Sequence, residues 1–183
     1  MVAAEVDPHR LVFVDEMGAN TSLSARYAYS LRGRRAYAKV PRNRGTNTTL
    51  LGSMSLEGMG PCLTVRGSTT TTVFETYVEK VLAPSLRCNQ IVVLDNLSAH
   101  KSERARKLIE ARGCQLVFLP AYSPDFNPIE QAFSKIKGAL RKAGARTREA
   151  LIEALGVSIS AVTARDARGF FEHGGYRLPV YLL

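Results

Sequence analysis

Three acidic residues, Asp15, Asp95 and Glu130, stand where the chain could bring them to one place. Asp15 ends the apolar run Leu11-Val12-Phe13-Val14, and Asp95 ends Gln90-Ile91-Val92-Val93-Leu94. Glu130 opens a helix one loop after Gln115-Leu116-Val117-Phe118-Leu119. Metal-assisted cleavage of a phosphodiester needs such a set. Magnesium takes oxygen ligands and is commonly held by a few carboxylates plus substrate phosphate. Two such ions about 4 Å apart can activate the attacking oxygen and stabilise the leaving one. Each residue alone also has a plainer reading. An aspartate after a strand often forms a turn or caps a helix, and Glu130 stands three residues after Asn127, as in a capping box. Together the three favour chemistry, because Asp95 to Glu130 encloses 34 residues in a strand–helix–strand–helix order.

The elements that must position them read as a mixed α/β sheet flanked by helices, in one domain over residues 1–183. Three short strands come first: residues 11–14, then 48–55, a turn at Gly58 and Gly60-Pro61, then 62–65. Helical spacing follows over residues 70–82, through Val73, Phe74, Tyr77, Val78 and Val81, and Pro84 is expected to end it. A buried strand at 90–94, a helix at 102–112 and a strand at 115–119 come next. In the proline-bounded loop 120–128, Asn127 is a good N-cap and Pro128 suits the first helical position. The helix then runs to about Lys142 and buries Ile129, Ala132, Phe133, Ile136 and Leu140. A last helix begins near Thr147, and beyond Val162 the pattern weakens, so that residues 165–169 read as loop. Parallel strands with crossover helices place reactive loops at their carboxyl ends. Asp15 and Asp95 both read as standing at such ends.

Charge narrows the partners. The chain has 183 residues, 45% apolar and 22% charged, with a formal net charge of +9, which suggests a polyanionic partner. Between Met17 and Leu56 there is no acidic residue. Seven cations fall there, Arg26, Arg32, Arg34, Arg35, Lys39, Arg42 and Arg44, interleaved with Tyr27, Tyr29 and Tyr37. Arginines beside aromatics suit phosphate contacts with base or sugar stacking, and a solvated basic loop is the equal alternative. Cys62, Cys88 and Cys114 are too widely spaced for a zinc site or disulfide framework and read as small buried residues. His9, His100 and His173 are equally scattered. No stretch of 18 uninterrupted apolar residues exists to span a membrane, and the first residues lack a signal-peptide pattern, so a cytoplasmic, nucleoid-associated address is expected.

Three blocks carry a family resemblance. Val14-Asp15-Glu16, Leu94-Asp95-Asn96-Leu97-Ser98-Ala99-His100 and Tyr122-Ser123-Pro124-Asp125-Phe126-Asn127-Pro128-Ile129-Glu130 resemble the signature blocks of DDE transposases. The nearest pattern is the bacterial insertion-sequence branch of the mariner-like superfamily, and the third block is the most specific. The resemblance covers residues 11–142. It implies a ribonuclease-H-like, retroviral-integrase-like fold and cut-and-paste DNA transposition with two Mg2+ or Mn2+ ions held by Asp15, Asp95 and Glu130. It also implies a TA target. Asn96 and His100 match positions beside the second carboxylate, where they would orient it or contact phosphate. As alternatives, Asn96 caps a turn and His100 lies on the surface. Lys137, two helical turns beyond Glu130, could touch DNA phosphate or be an ordinary solvated lysine. Phe133 replaces the tryptophan often found there in relatives.

Such transposases carry helix-turn-helix domains ahead of the catalytic core, and only 14 residues precede Asp15 here. The expectation is a catalytic half whose DNA-reading domain is missing or supplied by a separate chain, acting on double-stranded transposon ends and target, with a homodimer suggested by paired-end chemistry. A stand-alone nuclease of the same fold and a non-catalytic, domesticated DNA-binding protein are the alternatives.

Overall fold

The computed structural model describes residues 6–43, 45–121 and 123–177. Arg44 of the basic segment and Tyr122 of the third block therefore lie outside the described residues. Five strands form one sheet in the order β3-β2-β1-β4-β5. Strands β1 (Leu11–Ala19), β2 (Thr48–Ser55) and β3 (Gly58–Arg66) form an antiparallel meander, while β4 (Ile91–Leu94) and β5 (Gln115–Phe118) run parallel to β1.

β1 is longer than its apolar run. It pairs with β4 only as far as Val14 opposite Leu94, but continues against β2 from Asp15 opposite Gly52 to Ala19 opposite Thr48. Asp15 thus lies inside a strand and not at its end, which corrects the sequence reading. Met17 and Ala19, both buried, carry the period-two pattern onward. Relative to the parallel pairing, Asp15 is still the first residue past the carboxyl edge.

The turn between β2 and β3 is Leu56–Glu57, one step earlier than the glycines suggested. Gly58 takes φ +115°, and Gly60 and Pro61 lie within β3. Pro61 is tolerated because β3 is an edge strand with no further neighbour. Gly60 leaves room for Ser53 Oγ, which a Cβ there would push aside.

Helices cover both faces. On one side α1 (Thr71–Tyr77), a π turn (Val78–Leu82), the single turn α2 (Ala83–Ser85) and α3 (Glu103–Glu110) bury Phe74, Tyr77, Leu82 and Ile109 against Val12, Val14 and Val92. Pro84 does not end the run as expected. The preceding π turn widens the ladder, Ala83 N–H bonding back to Val78, and the helix continues past a residue that has no N–H. On the other side lie α4 (Ile129–Ala143), α5 (Arg148–Ser160) and α6 (Ala164–His173). The buried face of α4, Ile129, Ala132, Phe133, Ile136 and Leu140, follows helical spacing. Each such large apolar side chain stabilises the fold by roughly 1.5–3 kcal/mol.

α6 overturns the loop expected after Val162. Thr163 and Asp166 form a capping box, and Ala167 and Phe171, four residues apart, are buried against the core. The cysteines divide: Cys114 is buried, Cys62 half-buried and Cys88 exposed, so the buried reading fails for Cys88. Among the described residues no helix is long and apolar enough to cross a membrane.

Candidate active site

Strand alternation aims Asp15 toward the α4 side of the sheet, with Phe13 and Met17, and aims Glu16 toward the α1–α3 side. Asp15 is 6% exposed. Its Oδ1 accepts the Glu16 N–H at 2.7 Å, and its Oδ2 accepts a hydrogen bond from Asn127 Nδ2 at 2.8 Å. Asp95 follows β4 directly. Its Oδ1 accepts the Leu97 N–H at 3.2 Å and lies 2.5 Å from His100 Nδ1. The other ring nitrogen, Nε2, lies 2.8 Å from Glu16 Oε2. Glu130 is the second residue of α4, in its positively polarised first turn.

Asp15, Asp95 and Glu130 line one open cavity of about 350 Å³, together with Asn96, Asn127 and an apolar wall from Leu97, Leu119 and Pro120. The sheet edge and the proline-bounded loop bring the three carboxylates to this shared space. Among the described residues, no group of three acidic, histidine or cysteine side chains is gathered so as to hold a single ion. The carboxylates share a cavity and do not form a closed cage.

The surroundings of Asp15 disfavour its charged form. Burial pushes the Asp15 carboxyl up from 3.8 to about 7; the Glu16 N–H works against this, and the nearby charges of Glu130, Asp95 and Glu16 add to it. His100 moves the opposite way from ordinary burial. Burial alone would lower it, but its bonds to Asp95 and Glu16 outweigh that and raise it from 6.5 to about 9. A charged imidazolium donates from both nitrogens, matching a ring held between two carboxylates. Hard carboxylate oxygens without a local cation at Asp15 fit magnesium or manganese as donors.

His100 is 1% exposed and packs on Phe74 with ring centroids 4.5 Å apart, so the surface alternative does not hold. Asn96 is exposed at the cavity. Lys137 is half-buried on α4 and does not line the cavity. Two residues at the site were missed. Glu16 carries no role in the sequence beyond its place beside Asp15; it faces the other side of the sheet and there supports Asp95 through His100. Asn127 was read as an N-cap, but α4 has no side-chain cap bond, and its amide goes to Asp15.

The basic segment stands away from the cavity lining. Every residue from 25 to 40 is exposed, Arg26, Arg32, Arg34, Arg35 and Lys39 among them, and Arg42 is exposed beyond. Tyr27, Tyr29 and Tyr37 are 92%, 107% and 87% exposed. The root is fixed by Arg146, which donates to the carbonyls of Thr21 and Leu23 at 3.0 and 2.9 Å and to Ser24 Oγ at 3.2 Å.

A five-stranded mixed sheet, helices on both faces and three carboxylates at the edge of its central strands define the ribonuclease-H-like class. Residues 10–152 match the DDE superfamily endonucleases, and the chain belongs to that family. Solved structures agree on the fold. The chain is similar to the protein in a pre-cleavage Mos1 transpososome, with a TM-score of 0.73 and 19% identity over 91% of this chain and 54% of that one. It is also similar to the Mos1 strand transfer complex (TM-score 0.69, 20% identity, 92% and 52% covered) and to the catalytic domain of Mos1 mariner transposase (0.61, 18%, 91% and 79%). The chain spans about half the length of the first of these relatives. A comparison with curated protein sequences finds no match.

Proposed function

We propose that this chain is the catalytic domain of a DNA transposase, of the bacterial insertion-sequence branch of the mariner-like group, acting on double-stranded transposon ends and target DNA. The observation that carries this reading is that Asp15, Asp95 and Glu130, from three separate elements, line one cavity in a chain of the DDE superfamily endonucleases. These three carboxylates would hold two ions of magnesium or manganese. Solved Mos1 complexes with Mg and with Mn support that choice. When bound, the ions supply Lewis-acid stabilisation of the attacking and leaving oxygens of an in-line displacement.

The chain's own groups prepare the rest. Asp15 and Asp95 are held by hydrogen bonds to protein donors, so their orientation is set before DNA arrives. His100 balances part of the negative charge around Asp95 and Glu16. The exposed cations of residues 26–42, with Arg44 and the interleaved tyrosines, would bind DNA backbone and bases, and Lys137 would add a phosphate contact. Asn96 would do so at the cavity mouth. In the first displacement water opens a phosphodiester and leaves a 3′-hydroxyl. In the second that 3′-oxygen attacks a target phosphodiester and releases the target's own 3′-oxygen.

Paired ends call for a homodimer, a reading supported by the Mos1 paired-end complex. Recognition of the ends would come from a helix-turn-helix element outside these residues, and the protein would work in the cytoplasm at the nucleoid. A joining assay tests the proposal. Labelled duplex ends plus circular target DNA should give both cut and joined products with Mg2+ or Mn2+, and neither with chelator. Cutting without joining would reduce the chain to a stand-alone nuclease.

A further inference from the structure

We propose that Asn127 is a positioning residue: its buried amide orients Asp15 and fastens the loop that carries Glu130 to β1. The inference rests on the metal-site reading above. Asn127 is 5% exposed, and a buried amide must find partners. Its side chain makes no capping bond to α4, whose Glu130 N–H is already taken by the Asn127 carbonyl. Instead Nδ2 reaches 112 residues back along the chain and donates to Asp15 Oδ2 at 2.8 Å. The Glu16 N–H holds the other carboxylate oxygen at 2.7 Å. Both oxygens are thereby gripped, which fixes the carboxylate plane, while each keeps a second lone pair for a further partner.

The backbone of the same residue ties the loop to the helix. The Asn127 N–H donates to Pro124 O at 2.9 Å, and its carbonyl accepts the Glu130 N–H at 3.1 Å. One residue therefore connects the first carboxylate by its side chain with the third by its main chain. On the far side of the loop, Tyr176 Oη donates to Phe126 O at 2.8 Å, with its ring 5.2 Å from that of Phe13. Phe126 to Pro128 is thus held between β1 and the residues after α6. A residue that only capped the helix would have no need to aim at the cavity.

The test uses the full chain and manganese alone as probe. Asn127→Leu keeps the volume and removes the donor. Asn127→Ser suits a helix N-terminus but is one bond too short to reach Asp15, and it carries the test if the leucine variant does not fold. Mn2+ affinity is read by calorimetry without DNA, and the Mn2+ concentration giving half-maximal cutting is read with it. The Mn2+ dissociation constant and the half-maximal Mn2+ concentration should both rise about 10-fold or more, as for loss of a group that orients a metal ligand. DNA affinity should be unchanged. A purely structural role would lower thermal stability and leave the manganese dependence unchanged, and that result overturns the proposal. Asp15→Asn serves as the reference. If it too leaves Mn2+ binding unchanged, the metal-site reading falls and the positioning role with it. If it abolishes binding while both Asn127 variants bind normally, only the positioning role falls.

Discussion

At the scale of single residues, Asp15 in the cavity and His100 buried behind Asp95 both hold protons in the fold that the free chain releases more readily, so both departures have the same sign. Asp15 rises from 3.8 to about 7, chiefly through burial, so between those values the folded chain keeps a proton that the unfolded chain has lost. Stability of the metal-free protein therefore falls as pH rises from about 4 to about 7, by up to a few kcal/mol at ~1.4 kcal/mol per pKa unit. His100, raised to about 9 by its two carboxylate partners, contributes stability that is full below 6.5 and is lost as pH rises through 9. Denaturant unfolding without metal should show the decline, and Asp15→Asn should flatten it between pH 4.5 and 6.5. An equal decline in both proteins would mean that Asp15 is not the group responsible. Asp15 and Asp95 were legible because acidic residues after apolar runs are conspicuous, and Glu130 because of its spacing from Asp95 and the proline-bounded block before it. Asn127 and Glu16 were not, because each makes its main contact with a residue far away in sequence, Asp15 at 112 positions and His100 at 84. No local pattern records such a bond.

Among the elements, period and punctuation located nearly every strand and helix, and the misses have identifiable causes. β1 runs past its apolar block because β2 pairs with it as far as Ala19, a long-range effect. Pro84 is absorbed by a π turn that single-residue preferences do not describe. Residues 165–169 looked polar and glycine-bearing, yet a capping box and two buried side chains make them helix. α6 then has a definite energetic role. Phe171 is fully buried and meets Phe13 edge-on with centroids 5.3 Å apart, directly beneath β1. Phe171→Ala should cost about 3–5 kcal/mol, the usual loss for an aromatic deleted from a core. Chemical denaturation of the two proteins measures it. A cost below about 1 kcal/mol would show that α6 is dispensable to the core.

For the whole molecule, the separation of the basic segment from the packed sheet suggests a division of labour. The carboxylates sit at the rigid sheet edge, and the cations sit on an extended, exposed stretch anchored by Arg146. The charge pattern made this stretch legible in the sequence, but not its exposure, since the same composition suits a loop folded onto the surface. Neutralising Arg32, Arg34 and Arg35 together should weaken DNA binding and flatten its log–log salt dependence by about 2–3. Filter or fluorescence binding over a salt series would show it, and an unchanged slope would leave these arginines as a solvated loop.

The central claim is that Asp15, Asp95 and Glu130 act as one metal-binding set. The most direct measurement is divalent-metal-dependent cutting by Asp15→Asn, Asp95→Asn and Glu130→Gln, each checked for cooperative thermal unfolding. Each substitution keeps the side chain's size and removes its charge, so all three proteins should unfold cooperatively and none should cut with Mg2+ or Mn2+. Near-wild-type cutting by any one of the three would contradict the account and remove that residue from the site.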